Sequence, residues 1–567
     1  VKRYFPAAAL AAALAAAWLP LASPHALAGH SAMADRIRAE AIHAAVRGGD
    51  LLPAWLPDLY DRHGTPLPIF YAPLSYGVIE VLRWVAGDPG SAVKLAFLGF
   101  WITGVAGAGY LARRAFGADA AIPAAAAFGL SPYLLADAYV RVGIAEFAAL
   151  CLLPWAIAAT VRPDRASVAW GSLAVAGLCL THNLTALLAV PALLLFSALA
   201  PRGERAAGLA TTLAGVALSA FFWLPALAGR HLLWADESLT RGFFDYREHF
   251  VAPWNVLPFR VSFGFTVGPH ARQAFRFGEL LWAGILAAPW LARAEPPDRR
   301  RRTWLAAAAA LGALLMTTSL AAPVWRLLPL ARFVQFPFRF FLLATAFAAP
   351  LVGLLVVRVP GRHRPWAAAA GVAIALLIAR PSLDVRYLFL RADDAEPVPV
   401  ARNELAAAVA NPLWTTPDRV VTLDRLRGSH WSGSAGNEFL PRTVTTLPRA
   451  EPSVAAEPLD PGVRVLDSAW GYPSVTARIE VRSPGRLALE QFDFPGWRVT
   501  VDGRPRAASV EPGRGRILVA VEPGDRLVEA RFGASGIRRW AGVASLLAAL
   551  GLAGGLLASR RRGPFKA

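Results

Sequence analysis

Apolar stretches of roughly 20 residues recur along most of this chain. They fall near 7–22, 69–87, 91–112, 118–136, 143–160, 166–181, 184–200, 206–228, 276–293, 303–326, 339–357, 365–380 and 540–558. About 20 apolar residues in helical form cross the hydrocarbon core of a bilayer. Only helices and closed barrels can satisfy their backbone groups there. The pattern predicts a polytopic α-helical membrane protein of about 12–13 spans. Composition agrees, because 56% of the 567 residues are hydrophobic and 17% charged, against about 25% charged in soluble domains. In such a solvent an ionisable side chain is costly, so it marks a functional position by default.

Lys and Arg number 58 against 39 Asp and Glu, a formal net charge of +19. The clusters Arg113-Arg114, Arg162 to Arg165, Arg202 to Arg205, Arg299 to Arg302, Arg358 to Arg364 and Arg560 to Arg562 abut apolar runs. That is the arrangement of cytoplasmic loops, and it argues against nucleic acid as a partner. With those clusters inside, the loops 137–142, 182–183, 229–275 and 327–338 and the polar region 381–537 fall outside. The implied location is a cytoplasmic membrane with multiple passes, and the abundant Ala, Arg, Gly and Pro, by association with high-GC bacterial genomes, suggest a bacterial inner membrane. Alternation fails once, at 69–87, which carries Glu80 and Arg83. Either that run is re-entrant or interfacial, or another short run is not a span. Cys151 and Cys179 lie in apolar runs and form no disulfide or CxxC pattern. No phosphate loop or dinucleotide fingerprint is present.

Six regions follow. Residues 1–28 form a first transmembrane helix or signal anchor, with a cleaved signal as the alternative. Residues 29–68 form a first external loop with a helical rhythm, and 69–380 the multi-span domain with its external loop 229–275. Residues 381–470 read as an irregular extracytoplasmic segment. Residues 471–537 alternate like strands between Pro-Gly and Asp-Gly turns and predict a small extracytoplasmic β-sandwich. Residues 538–567 are a last transmembrane helix with a basic cytoplasmic tail.

Four polar groups gather on the outer side in this topology. The first loop carries His30, Asp35, Arg38 and Asp58. Asp35 and Arg38 share a helix face, and Asp35 is the candidate base; a solvated interfacial helix is the alternative. Tyr139, Arg141 and Glu146 sit at a seam of two apolar runs, where Arg and Glu pair with each other or hold an anion. His182 and Asn183 lie between two further runs, as helix-to-helix hydrogen bonds or as substrate contacts. Arg332, Gln335 and Arg339 are interleaved with aromatics, as a lipid-phosphate cradle or as a belt of snorkelling arginines. No His, Cys or carboxylate spacing defines a metal site; a divalent cation is compatible with these residues but not required by them.

Several of these stretches carry a resemblance: His30 through Arg38, Gly49 through Asp58, Gly64 through Tyr76, Ala138 through Arg141 with Glu146, Thr181-His-Asn183, Gln335-Phe-Pro-Phe-Arg339 and Asn437-Glu-Phe-Leu-Pro441. In them the chain resembles the bacterial integral membrane proteins called 6-pyruvoyl-tetrahydropterin synthase-related, and Phe494 through Gly503 resembles the C-terminal lobe of proteins of the YfhO kind. The family is in turn similar to the GT-C superfamily of multi-span glycosyltransferases. A pterin synthase is a soluble zinc enzyme, and this chain lacks the His trio it needs.

The resemblance implies a GT-C-like fold, an acidic residue in the first external loop, a polyprenyl-phosphate-linked sugar as donor, and a glycan or protein as acceptor beside membrane lipid. Ser31 stands where the family commonly has Asp, and Asp35 where it commonly has His, so Asp35 inherits the acidic role. The rival reading is a non-enzymatic membrane protein that handles or exports a lipid-linked polymer.

Overall fold

The computed structural model describes residues 4–258, 263–264, 274–383, 385–391, 397–401, 414–415, 437–448 and 451–561. Among them, six helices are long and apolar enough to cross a membrane: Phe5–Ala22, Pro89–Phe116, Ala118–Arg141, Pro337–Val357, Gly361–Leu383 and Gly536–Leu557. Arg202–Leu218 and Ala220–Leu232 make a seventh if counted as one span bent by 67°. Shorter apolar helices cover Ile144–Thr160, Ala166–Thr181 and Asn183–Leu199. The count is lower than the apolar runs suggest because several runs fold as helices of 13 to 17 residues.

The run at 69–87 is one of these. A short helix Leu67–Phe70 ends before Pro73, and Leu74–Ala86 then starts afresh. Thirteen residues rise only about 20 Å, short of the roughly 30 Å hydrocarbon core. It is therefore not a simple full span, and its outer face leaves Val81, Trp84 and Val85 exposed.

The helical domain is built around Phe341–Val357, almost every residue of which is buried. It packs on Pro297–Met316, Glu279–Arg293, Ala121–Gly129 and Pro89–Phe116. Small residues allow this closeness, as expected where van der Waals packing drives association. A Cβ on Gly353 would lie 2.4 Å from the Ala120 carbonyl oxygen.

The C-terminal lobe is a β-sandwich. One sheet runs in the order Ala508–Val510, Arg516–Val521, Gly485–Phe492, Ala456–Pro458. The other runs Arg504–Arg506, Trp497–Val501, Leu527–Phe532, Ser474–Val481, Val463–Trp470. Every described pairing is antiparallel. Along Ser474–Val481 the residues Val475, Ala477, Ile479 and Val481 point into the core, the period of two that a half-buried strand requires.

Two strands, Ala456–Pro458 and Val463–Trp470, lie before the boundary at 471 read from the sequence. A bulge between Val465 and Asp467 breaks the alternation there. A separate small sheet joins Leu27–Ala28 to Arg386–Arg391 and Pro397–Ala401, a pairing with no local sequence signal. The rest of 381–455 falls largely outside the described residues, as does Arg562 of the tail.

The lobe rests on the first loop. Trp55, fully buried, meets Phe494, Trp497 and Phe532 and donates its indole N–H to Gln491 at 2.6 Å. The last helix returns to the bent pair, where Ser545 Oγ accepts from the Phe221 amide at 2.9 Å.

Candidate functional site

The span Ala118–Arg141 ends in a widened helical turn, Asp137–Arg141. Val142 then takes a left-handed conformation (φ 51°) before Ile144–Thr160 begins. The first loop lands on this turn. The His30 amide donates to the Val140 carbonyl at 3.3 Å and the Ser31 amide to the Arg141 carbonyl at 2.8 Å. Only glycine fits at 29, where a Cβ would sit 2.4 Å from Val142 Cγ2 and 2.7 Å from the Val140 oxygen. The helix Ala32–Arg47 starts from this contact, so Asp35 in its first turn meets the Ile144 amide of the next helix, while Arg38, three residues on, reaches Tyr71, Tyr76 and Glu438.

Asp35 is buried. Its Oδ1 accepts from the Tyr76 hydroxyl at 2.6 Å and from Arg38 Nη1 at 3.3 Å. The Ile144 amide, at the opening of the next helix, also hydrogen-bonds to it. Burial raises the carboxyl above its ordinary value, against the pull of Arg38 and then Tyr76. Burial and the adjacent Asp35 hold the Tyr76 hydroxyl well above its own ordinary value, so it remains a donor. The Arg38 guanidinium lies 4.1 Å over the Tyr71 ring and 3.9 Å from Glu438. Asp35 is thus a carboxylate held in place by three donors yet easier to protonate than one in water.

A second network lies beside it. Arg141 Nη1 contacts Asp137 Oδ1 at 2.7 Å and Glu146 Oε1 at 2.6 Å. Arg339 Nε contacts Glu146 Oε2 at 3.0 Å, and its Nη1 donates to Gln335 Oε1 at 2.9 Å and to the Val334 carbonyl at 2.7 Å. Tyr133 donates to Glu146 at 2.8 Å. Gln335 adopts φ 64°, a strained geometry that non-glycine residues seldom take. Ion pairs this deep cost much desolvation and persist only with added hydrogen bonds, which Tyr133, Gln335 and Val334 supply. Asp137 Oδ2 is buried with no hydrogen-bond partner among the described residues.

The two networks adjoin, since Asp35 feels the charge of Arg141, and His182 that of Glu146, Arg339, Arg141 and Arg38. His182 caps Asn183–Leu199, its Nδ1 accepting from the Thr185 amide at 3.3 Å. Asn183 donates to the Phe70 carbonyl at 2.7 Å and so braces the first loop. His30 is half-buried at the contact with the turn.

Three candidates point elsewhere. Tyr139 donates to the Ala17 carbonyl at 2.7 Å, tying the span to the first helix. Asp58 accepts from the Tyr472 hydroxyl of the lobe. Arg332 is 51% exposed, over Phe333 and 3.6 Å from Asp236. Tyr76, Tyr133 and Glu438 join the site without having been singled out as site residues in the sequence. Tyr76 and Glu438 lie in stretches that carry the resemblance, but nothing in their spacing assigns them a role. Among the described residues no group of three or more His, Cys, Asp and Glu could hold a metal ion.

A many-helix membrane domain with buried ion pairs where its first loop meets the widened end of a span, and a β lobe on that loop, defines the class. Residues 69–388 match the model of the family described as 6-pyruvoyl-tetrahydropterin synthase related domain, membrane protein, and the chain belongs to that family. No curated protein matches the chain.

Among solved structures, the chain is similar to the arabinofuranosyltransferase AftD from Mycobacteria, at 18% identity and TM-score 0.40 over 68% of this chain and 26% of that one. It is similar to ArnT from Cupriavidus metallidurans bound to undecaprenyl phosphate, at 16% identity and TM-score 0.40 over 66% and 74%. It is also similar to the archaeal oligosaccharyltransferase AglB from Archaeoglobus fulgidus in complex with an inhibitory peptide and a dolichol-phosphate, at 15% identity and TM-score 0.41 over 67% and 55%. The chain spans about a quarter of the length of AftD.

Proposed function

We propose that this protein is a membrane-embedded glycosyltransferase of the bacterial inner membrane, with its site and β lobe on the extracytoplasmic side. A polyprenyl-phosphate-linked sugar is the donor and a glycan or protein hydroxyl the acceptor. The observation that carries the reading is Asp35, a buried carboxylate held by Tyr76, Arg38 and the Ile144 amide, beside two arginines that share Glu146. A base works best when its affinity for a proton approaches the working pH, and burial moves Asp35 in that direction.

In this mechanism Asp35 takes the proton of the acceptor hydroxyl. The acceptor oxygen bonds to the anomeric carbon as that carbon's bond to the phosphate oxygen breaks. The phosphate leaves with the electron pair. Fixed positive charge lowers the barrier most where negative charge grows. Arg141 and Arg339 are already committed to carboxylates, so they supply the field of the site. Arg332, half-exposed over Phe333 and beside Asp236, points away from this site and takes no part in the step. Glu146 and His182 orient the groups around the sugar.

The test is mass spectrometry of lipids and glycans from cells lacking the protein, complemented with wild type or with Asp35→Asn. Wild type should restore the missing glycan and clear the accumulated lipid-linked sugar. Asp35→Asn, present in membranes at wild-type level, should do neither. Full restoration by Asp35→Asn would remove the base and favour non-enzymatic handling of a lipid-linked polymer.

A further inference from the structure

The far end of the helical domain holds a cavity that the reading above does not use. It has a volume of about 870 Å³ and lies where Asn183–Leu199 ends and where Arg202–Leu218 and Pro297–Met316 begin. Asn183–Leu199 has 17 residues, so this end is about 25 Å from His182. Arg202, Arg205, Arg300 and Arg301 line the cavity, with Asp298 as the one acidic member.

Two of these arginines are anchored by one nitrogen each: Arg205 Nε donates to the Ala200 carbonyl at 2.9 Å, and Arg301 Nε to the Leu199 carbonyl at 2.7 Å. Arg202 and Arg300 are exposed and have no salt bridge among the described residues. Beneath them the buried pair Glu204–Arg302 locks the two helix starts together. Both helices turn their positive ends to the cavity, while Arg205 and Arg301 already answer the negative end of Asn183–Leu199.

The remaining wall is apolar. Trp304 and Leu199 are 47% and 43% exposed at the cavity, and Leu305 and Ala308 continue the surface along the helix. An anion with no hydrocarbon would leave that wall unused. A cationic mouth joined to an apolar wall at a helix end is the shape of a lipid headgroup seat. We infer that this cavity binds the phosphate of an anionic phospholipid, with an acyl chain along Trp304 and Leu305. Ordinary positive charge beside a span would attract a whole leaflet diffusely; this seat holds one molecule.

The test uses the full chain in detergent and native mass spectrometry with phosphatidylglycerol, phosphatidylcholine or soluble glycerol phosphate as probes. Wild type should retain phosphatidylglycerol in preference to phosphatidylcholine, and excess glycerol phosphate should not displace it. Arg202→Gln and Arg300→Gln should each weaken retention about fivefold, and the pair should abolish the preference. Arg362→Gln, an exposed arginine in a different basic cluster, should leave it intact. Equal retention of the two lipids, an unaffected double variant, or an equal loss in Arg362→Gln would overturn the seat. Displacement by glycerol phosphate would overturn the lipid in favour of a soluble anion. Because the singles disturb exposed side chains only, they keep the question open to refutation should the double variant fail to fold.

Discussion

At the scale of single residues, the sequence exposes partners that are close along the chain and hides those that are not. Asp35 and Arg38, three apart, were legible as one helix face and do form a pair. Arg141 and Glu146 were legible as neighbours at a seam and also pair. The second cation on Glu146, Arg339, lies 193 positions away, and no periodicity links the two. Tyr76 was hidden for the same reason, 41 positions from the carboxylate it holds.

The state of Asp35 gives a signed prediction. Its folded value is raised by burial from the ordinary 3.8. The folded protein therefore keeps a proton that the unfolded chain has already lost, and stability falls as pH rises from about 3.8 through the folded value. Thermal midpoints of wild type minus Asp35→Asn should decline across that window, whereas a flat difference would mean that Asp35 is not perturbed. Transfer by wild type should rise over the same upper limb, because only the ionised carboxylate accepts a proton.

Elements were legible where one period runs unbroken. The long apolar helices and the strands after 471 fit that rule. The run at 69–87 departs from it, since Pro73 divides it; there it was the failed alternation, not the hydropathy, that offered a re-entrant or interfacial segment as one of two readings. The strand Val463–Trp470 was hidden by its bulge. Helix packing depends on a different signal, the smallness of single residues, and Gly353 shows it. A methyl there meets the Ala120 carbonyl oxygen at 2.4 Å and the Ala120 Cβ at 3.0 Å. Backbone cannot step aside as a flexible side chain would. Gly353→Ala should therefore push Phe341–Val357 off its neighbour and destabilise the protein by about 1–3 kcal/mol, the usual cost of overpacking. A thermal midpoint in detergent equal to wild type would show that the helix pair yields without cost. Gly361→Ala, with open space around its Cβ, is the matched control.

At the scale of the whole molecule the first loop bears the site on one side and the β lobe on the other. Residues 437–448 run between them. Thr65 donates to the Phe439 carbonyl at 3.0 Å, the Trp234 amide to the Leu440 carbonyl at 3.1 Å, and Arg442 pairs with Glu237 at 2.6 Å. This strap places Glu438 beside Arg38. Trp55 is the keystone of the joint between loop and lobe, buried against three aromatic rings and bonded to Gln491. Removing so large a buried ring costs about 3–5 kcal/mol, and Gln491 loses a partner as well. Trp55→Ala should therefore speed hydrogen exchange in Trp497–Val501 and Leu527–Phe532, and also in Ala32–Arg47, while Phe341–Val357 stays protected. Transfer should fall with it, although Trp55 touches no residue of the proposed chemistry. Unchanged exchange in Ala32–Arg47 would mean that the lobe is carried by the loop without steadying it, and that the position of Asp35 is set by the helical domain alone.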